Sequence, residues 1–475
     1  MTPLKGMKLG ERLPTLPAIN GEIMREAVES YLACPIFCAA RYEELVLDDN
    51  PYRRPVRPDD IGLVDFSTPL RRTDFAQLSS LMGHRMLLNI YDTRKLLLPR
   101  KLTEDKWRDH KQFYSQKNRF LGDLIRPYLE AHLFTFVRDE ANQSEACGAA
   151  EAAARIHDIG EQRRAKAEEL HKVVSSSPDR DGVIDMLAIQ AIAISLNAGS
   201  QPSPALHGLA SAGGPPSLSG VFGAVSGTGL LLRRVAESSG ILYQPHGYYQ
   251  YYLPSTLALM NYVNAAAQHP GDVFALAGAL MAHAAEARAL EETLKPMLAG
   301  RLEGVTPGHH LQPGPGLPAE PDVDGEATAE LIERIGGEYG LREFSRGFEE
   351  YAVLLDVHHE DRMRQFTWIN SAPEHVQKAK RLHTAIDKHN IRVDLDTFVE
   401  SWEECSTTHV HDEDRLLVIE SGEMEFWNCF GLRHKFRPGD MTFIPRHRLH
   451  GSVVLSGKCV YHQPVITPEI NRRYG

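Results

Sequence analysis

A chain of 475 residues, 42% hydrophobic and 24% charged, has the length of roughly three globular domains of about 150 residues each. Its formal charge of -11, with no Lys/Arg-rich run, argues against a nucleic-acid or anionic-membrane partner and for small-molecule chemistry. Its six cysteines, Cys34, Cys38, Cys147, Cys405, Cys429 and Cys459, are scattered without a paired framework, as expected in a reducing cytosol.

The opening stretch MTPLKGMKLGERLP has no apolar core of signal-peptide length. The apolar run from Val273 to Ala285 contains His283 and is too short to span a bilayer, so the expected location is cytoplasmic. From Asn20 to Val137 the chain reads as mainly helical, broken over Asp49 to Pro58 and at Pro69. Leu121, Leu124, Ile125, Tyr128, Leu129, His132, Leu133 and Phe136 recur at steps of three and four and mark one apolar helix face. Nothing here has ligand or nucleophile spacing, and His110 and His132 are expected to be surface or packing residues. A helical segment without chemistry on a multidomain enzyme is often an oligomerisation surface.

The middle of the chain also reads as helical, with periodic runs over Glu145 to Val174, Asp181 to Asn197, Pro254 to Gln268 and Val273 to Leu298. Two or three further helices are expected between Ala327 and His389, and an all-α layered bundle is the simplest architecture. The Pro/Gly-rich segment Gly304 to Val323 predicts an exposed loop with incidental His309 and His310. Ala198 to Gly229 is mostly Gly, Ser, Ala and Pro. In the run AVLLDVHHEDR, Asp356 and His359 lie three apart on one helix face. That spacing suits either half of a metal site in a helical di-iron protein or a salt-bridged solvent face.

The chemistry is most legible between Thr408 and His450. His409 and His411 are two apart, so on a strand both imidazoles leave the same face while Val410 points away. Gly439, Asp440 and Pro445 mark a turn and strand entry, from which His450 can return along a neighbouring wall. Three neutral imidazoles on strands suit a divalent first-row metal.

This pattern resembles the cupins, whose motifs read Gly-x5-His-x-His-x3-Glu-x6-Gly and Gly-x5-Pro-x-Gly-x2-His. His409, His411, Gly422, Gly439, Pro445 and His450 match. Three positions depart: Glu403 and His447 stand where glycines are usual, and Arg415 replaces the motif glutamate. A three-histidine set without a carboxylate leaves the metal its full charge and about three open positions if octahedral. Arg415 is expected to pair with Glu413, Glu420 or a substrate carboxylate. A metal-free barrel with hydrogen-bonded histidines is the alternative.

A cupin preceded by such helices resembles the N-nitrosourea synthases of the streptozotocin pathway, in domain order, in the HGYYQYYLP stretch from His246 to Pro254, in the DVHHEDR helix and in the missing cupin glutamate. The resemblance implies a multidomain α + β protein. Its parts would be a helical N-terminal dimerisation domain over 1–138, a central haem-oxygenase-like helical domain over 139–385 and a C-terminal cupin β-barrel over 386–475. It also implies a homodimeric non-haem iron oxygenase of antibiotic biosynthesis. Fe(II) would sit on His409, His411 and His450, with Tyr461 as an active-site neighbour, dioxygen as co-substrate and an external electron donor. The substrate would be an arginine derivative, Nω-methyl-L-arginine, hydroxylated on two guanidine nitrogens in the central domain and converted to an N-nitrosourea by the cupin.

In the central domain the expected His-x3-Asp-x2-His set retains Asp356 and His359 but has Ala352 in first place, and Glu286 is the nearest candidate for a second-helix carboxylate. Met186 to Ala236 contains no Asp or Glu, has His207 as its only histidine, and places Gln190 about where a carboxylate is wanted. The second iron site is therefore expected to be incomplete. Either it has been lost or the reading frame is disturbed across 198–229. Two other functions remain open: a cupin dioxygenase or isomerase on a helical scaffold, and a metabolite-binding protein with a vestigial cupin.

Overall fold

The computed structural model describes residues 21–34, 50–56, 66, 68–99, 101–141, 148–199, 231–244, 246–302, 325–430 and 432–475. Cys38, Cys147, His207, His309 and His310 lie outside these, as do nearly all of the 198–229 stretch and the Gly304 to Val323 segment.

Helices come first in the chain: α1 Gly21–Leu32, α2 Leu78–Asp92, α3 Glu104–Phe113, α4 Gln116–Glu140, α5 Ala149–Ser175 and α6 Arg180–Gly199. They continue with α7 Pro254–Gln268, α8 Val273–Leu302, α9 Gly325–Asn370 and α10 Ala372–Lys388. Local chemistry sets several of the ends. Ser115 caps α4 by accepting a hydrogen bond from the Asn118 amide, and Pro254 supplies the first turn of α7. The apolar face expected on α4 is buried at Ile125, Leu129, His132, Leu133 and Phe136, whereas Leu124 is exposed.

The run expected as two or three helices after Ala327 is α9, broken at Gly337 (φ 57°, ψ -154°), followed by α10. Helices α8 and α9 cross in backbone contact: a Cβ on Gly278 would lie 2.0 Å from the Phe344 carbonyl oxygen, and one on Gly347 would lie 2.0 Å from that of Ala275. Only glycine fits at that crossing. The apolar run from Val273 proves longer than expected, since Val273–Leu298 and Arg180–Ala198 each have the length and hydropathy of a membrane span. Most of each is buried inside the protein (78% and 83%), as in core helices.

The C-terminal part is two antiparallel sheets. One has the order β1 Thr397–Ser401, β8 Lys458–His462, β3 Asp414–Ser421, β6 Met441–Ile444, with β9 Val465–Ile466 also paired to β3. The other runs β2 Cys405–His409, β7 His450–Val454, β4 Met424–Cys429, β5 Leu432–Phe436. Strand β3 shows the period-two logic. Leu417 and Ile419 join Met424, Phe426 and Val454 between the sheets, while Leu416 packs with Phe443 against Ala379 and Leu382 of α10. A last helix, α11 Pro468–Tyr474, is capped by Thr467. One hydrophobic cluster runs through α1 to α9 and into the β domain at Val410, Trp427, Leu449 and Val453.

The motif positions that depart from glycine keep the glycine conformation. Glu403 (φ 63°) and His447 (φ 61°) are left-handed, as are Gly422 and Gly439 (both φ 87°).

Candidate metal centre and its helical surroundings

His409 ends β2 and His450 opens β7, and the two are direct partners in the antiparallel register. His411 follows β2 by two residues, and its carbonyl accepts a hydrogen bond from the His447 amide (2.8 Å), tying the two histidine loops together. The three imidazoles bring one ligand nitrogen each within 4.8 Å of one another, and among the described residues they are the group of three or more with this property. Ring centroids lie 4.6 to 5.0 Å apart.

The tautomers are directed from outside. Nδ1 of His409 bonds the Thr407 carbonyl (2.7 Å) and Nδ1 of His450 bonds that of Arg448 (2.8 Å), which leaves each Nε2 for the shared centre. Nε2 of His409 is 3.3 Å from Nε2 of His411. Nε2 of His450 is buried without a hydrogen-bond partner, a cost that a metal ion would remove. Burial pushes His450 down to about 4, so it is a neutral, ligand-ready imidazole at neutral pH. Phe426 stacks on His450, and Trp368 from α9 meets it edge-on.

Tyr461 adjoins the centre through shared neighbours, Trp368 and Phe426. It is buried between the sheets and stacked on Phe398 at 5.1 Å, in the same apolar cluster as Trp368 and Phe426. Arg415 pairs with Asp396 (2.5 Å) and Glu413 (3.6 Å), whereas Glu420 pairs with His462 (3.0 Å).

In the helical part, Glu286, Asp356 and His359 point to different partners. Asp356 faces α5, where it pairs with Arg163 and Lys166. Burial disfavours its charge, but these two cations outweigh burial and hold the carboxyl below its usual range. His359 bonds Glu169 of α5 (3.0 Å). Glu286 turns inward to Arg362 (2.7 Å), with side-chain exposures of 12% and 4%. That pair lines a cavity of about 20 Å³ with His283, His358 and Ser195, space for about one water. Burial lowers His283 to about 4 and His358 well below its ordinary value. Spacing carried a signal for these residues: His283 is three before Glu286, and His358 four before Arg362. Gln190 is buried, donating to the Tyr251 carbonyl (2.9 Å) and accepting from the Leu253 amide (3.1 Å) and the Thr256 hydroxyl (2.6 Å). Ala352 is buried, His110 stacks on Trp107 and bonds Tyr52, and His132 bonds the Thr68 carbonyl.

The HGYYQYYLP stretch lies between the two parts. Tyr248 and Tyr251 hold Phe430 edge-on (4.7 and 5.5 Å), and Tyr249 donates within the helical core to the Arg85 carbonyl and Asn89 Oδ1.

No family model matches the chain. In a comparison with curated proteins it is 28% identical over 466 residues to the nitrosourea synthase of Streptomyces achromogenes subsp. streptozoticus, covering 93% of this chain and 95% of that protein. The chain is thus nitrosourea-synthase-like along nearly its whole length, as the resemblance in its motifs implied.

Proposed function

We propose that the chain is an iron-dependent oxygenase that forms an N-nitrosourea from a guanidine-bearing amino acid, either Nω-methyl-L-arginine or its N-hydroxylated form. The final oxidative rearrangement is assigned to the β domain, read as a cupin. The observation that carries this reading is the convergence of His409, His411 and His450 on one point with a buried, unpartnered Nε2, in a chain similar throughout to a nitrosourea synthase.

These three imidazoles would hold Fe(II), and the fit is good because all can act as neutral donors and two of them, His409 and His450, are oriented by backbone carbonyls. A ferrous ion there supplies dioxygen chemistry and a Lewis-acid anchor for a chelating N-hydroxyguanidine. The chain's own contribution is positional. Thr407 and Arg448 fix the ring tautomers, and Phe426 and Trp368 keep water from the His450 side. The wider reading is a cytoplasmic homodimer supplied by an external electron donor, with its domains at 1–138, 139–385 and 386–475.

A second reading is favoured by the ion pairs of Asp356 with Arg163 and Lys166 and of Glu286 with Arg362. Here the helical part is scaffold, and the β domain acts alone on a substrate hydroxylated elsewhere. Supplying purified protein with iron, reductant and dioxygen, and either the unmodified or the N-hydroxylated amino acid, separates the two. Turnover of both supports a complete synthase, and turnover of the hydroxylated compound alone supports the second reading. Turnover of neither overturns the proposed reaction.

A further inference from the structure

Each of the three histidines has a chain neighbour fastened to the helical part by a hydrogen bond. Gln250 Oε1, from the HGYYQYYLP stretch, accepts from the amide of Thr408, the residue before His409 (3.3 Å). Asp412, the residue after His411, accepts through Oδ1 from the amide of Leu78 at the start of α2 (2.9 Å). Gln365 of α9 grips Leu449, the residue before His450, at both ends of its backbone: Oε1 accepts from the amide (3.0 Å), and Nε2 donates to the carbonyl (2.9 Å). The same Nε2 also donates to the Asn428 carbonyl (2.8 Å) on β4. Gln250 and Gln365 are both buried, with 1% and 0% exposure. Gln250 is itself held from two sides: its carbonyl accepts from Arg85 (3.4 Å), and Gln190 clamps the backbone immediately after it.

We propose that Gln250 and Gln365 are positioning residues for the metal centre, so that the helical part sets the geometry of the three imidazoles through Thr408, Asp412 and Leu449. The inference rests on reading His409, His411 and His450 as the metal site. A metal centre tolerates ligand displacements of only about 0.5 Å and 10–20°. A strand end held only by its own ladder frays, and β2 and β7 end where the ligands begin, with a register irregularity between Ser406 and His409. The glutamine amides take over as the ladder gives out. This also gives HGYYQYYLP a role: the segment is locked to the helical core by Gln190 and to the β domain by Phe430, and it presents Gln250 between them.

The test uses the full chain with Co(II) as a spectroscopic probe of the metal site. Gln365→Met and Gln250→Met keep side-chain volume and lose the amide. Each is expected to weaken Co(II) binding by about tenfold or more and to alter the visible absorption of the bound ion. Leu341→Ala, a fully buried residue of α9 that lies 24 residues, about 36 Å of helix, before Gln365, is the stability control, expected to lower Tm without changing Co(II) affinity. His450→Ala is expected to abolish binding at this site. If Gln365→Met does not fold, Gln365→Glu keeps the acceptor for the Leu449 amide, loses both donated bonds and carries the same expectation. Glutamine variants that bind Co(II) with unchanged affinity and spectrum, while His450→Ala does not bind, would overturn the positioning role alone. Full binding by His450→Ala would overturn the metal site itself.

Discussion

The β domain and the helical bundle both bury histidines beside a long helix, yet among the described residues only the β domain brings three ligand atoms together at one point. In the β domain the Nδ1 atoms of His409 and His450 are satisfied by backbone carbonyls, and the Nε2 atoms converge on a point that nothing in the chain fills. In the bundle, Asp356 and Glu286 already face guanidinium or ammonium groups, and His359 faces Glu169. The lesson concerns charge. A carboxylate buried with a fixed cation is neutralised by the chain itself, and recruiting a metal there means first displacing that cation.

The largest expected effect comes from disturbing that neutralisation. Arg362→Met leaves the largely buried Glu286 without its counter-charge and should cost about 3–5 kcal/mol in a denaturant titration. Adding Fe(II) or Mn(II) to this variant is the sharper measurement. If the ion restores its stability while leaving the wild-type bundle unaffected, the bundle is a metal site masked by an arginine, and the contrast between the two regions narrows to one residue.

A smaller effect is expected from acid. His283 has its protonation point lowered by burial from 6.5 to about 4, so the unfolded chain binds a proton that the folded chain refuses. Its contribution is complete above pH 6.5 and is lost as the pH falls from there towards 4, a loss of about 3 kcal/mol at most. Replacing His283 with Phe should flatten the fall in Tm between pH 6.5 and 4 relative to wild type. An equally steep fall would show that other buried groups, such as His84 and His246, account for the acid sensitivity of the bundle.

The smallest effect belongs to the β domain, whose strain is in the backbone rather than in its charges. Glu403 is exposed and left-handed (φ 63°) at a position where the motif prefers glycine. Glu403→Gly should therefore stabilise the protein by about 1 kcal/mol or less, relief of the left-handed penalty being partly offset by a more flexible unfolded chain. A Tm unchanged or lowered would mean that the carboxylate contributes more there than its exposure indicates.

These contrasts track what could be read without coordinates. The imidazole cluster was legible because strand alternation and two turn signals are local, whereas the direct register pairing of His409 with His450 is set by the sheet. The helix bounds of α7 were equally local, with proline opening the helix and a Pro-Gly pair closing the run. The fate of Asp356 was not legible. Spacing put it on a face with His359, but what that face meets was decided by Arg163, Lys166 and Glu169, all more than 180 residues earlier in the chain. Gln250 and Gln365 gave no signal at all, because an amide has no distinctive spacing and its value lies in a backbone group brought in by tertiary folding. Glu403 and His447 are intermediate: they read as departures from the motif, while the conformation that made them equivalent to glycine belongs to the backbone.

The bond between Gln250 and Thr408 joins residues 158 apart in sequence, which gives the molecule a timetable. At a synthesis rate of roughly 5–20 residues per second, Tyr248, Gln250 and Tyr251 emerge about 10–30 s before the strand and the phenylalanine they will hold. For that interval the nascent chain carries an aromatic face shaped for a partner that has not yet been made. Slow translation through the last hundred residues would lengthen the wait, and a binder of exposed aromatic surface would act at that stage of the protein's life rather than on the finished fold.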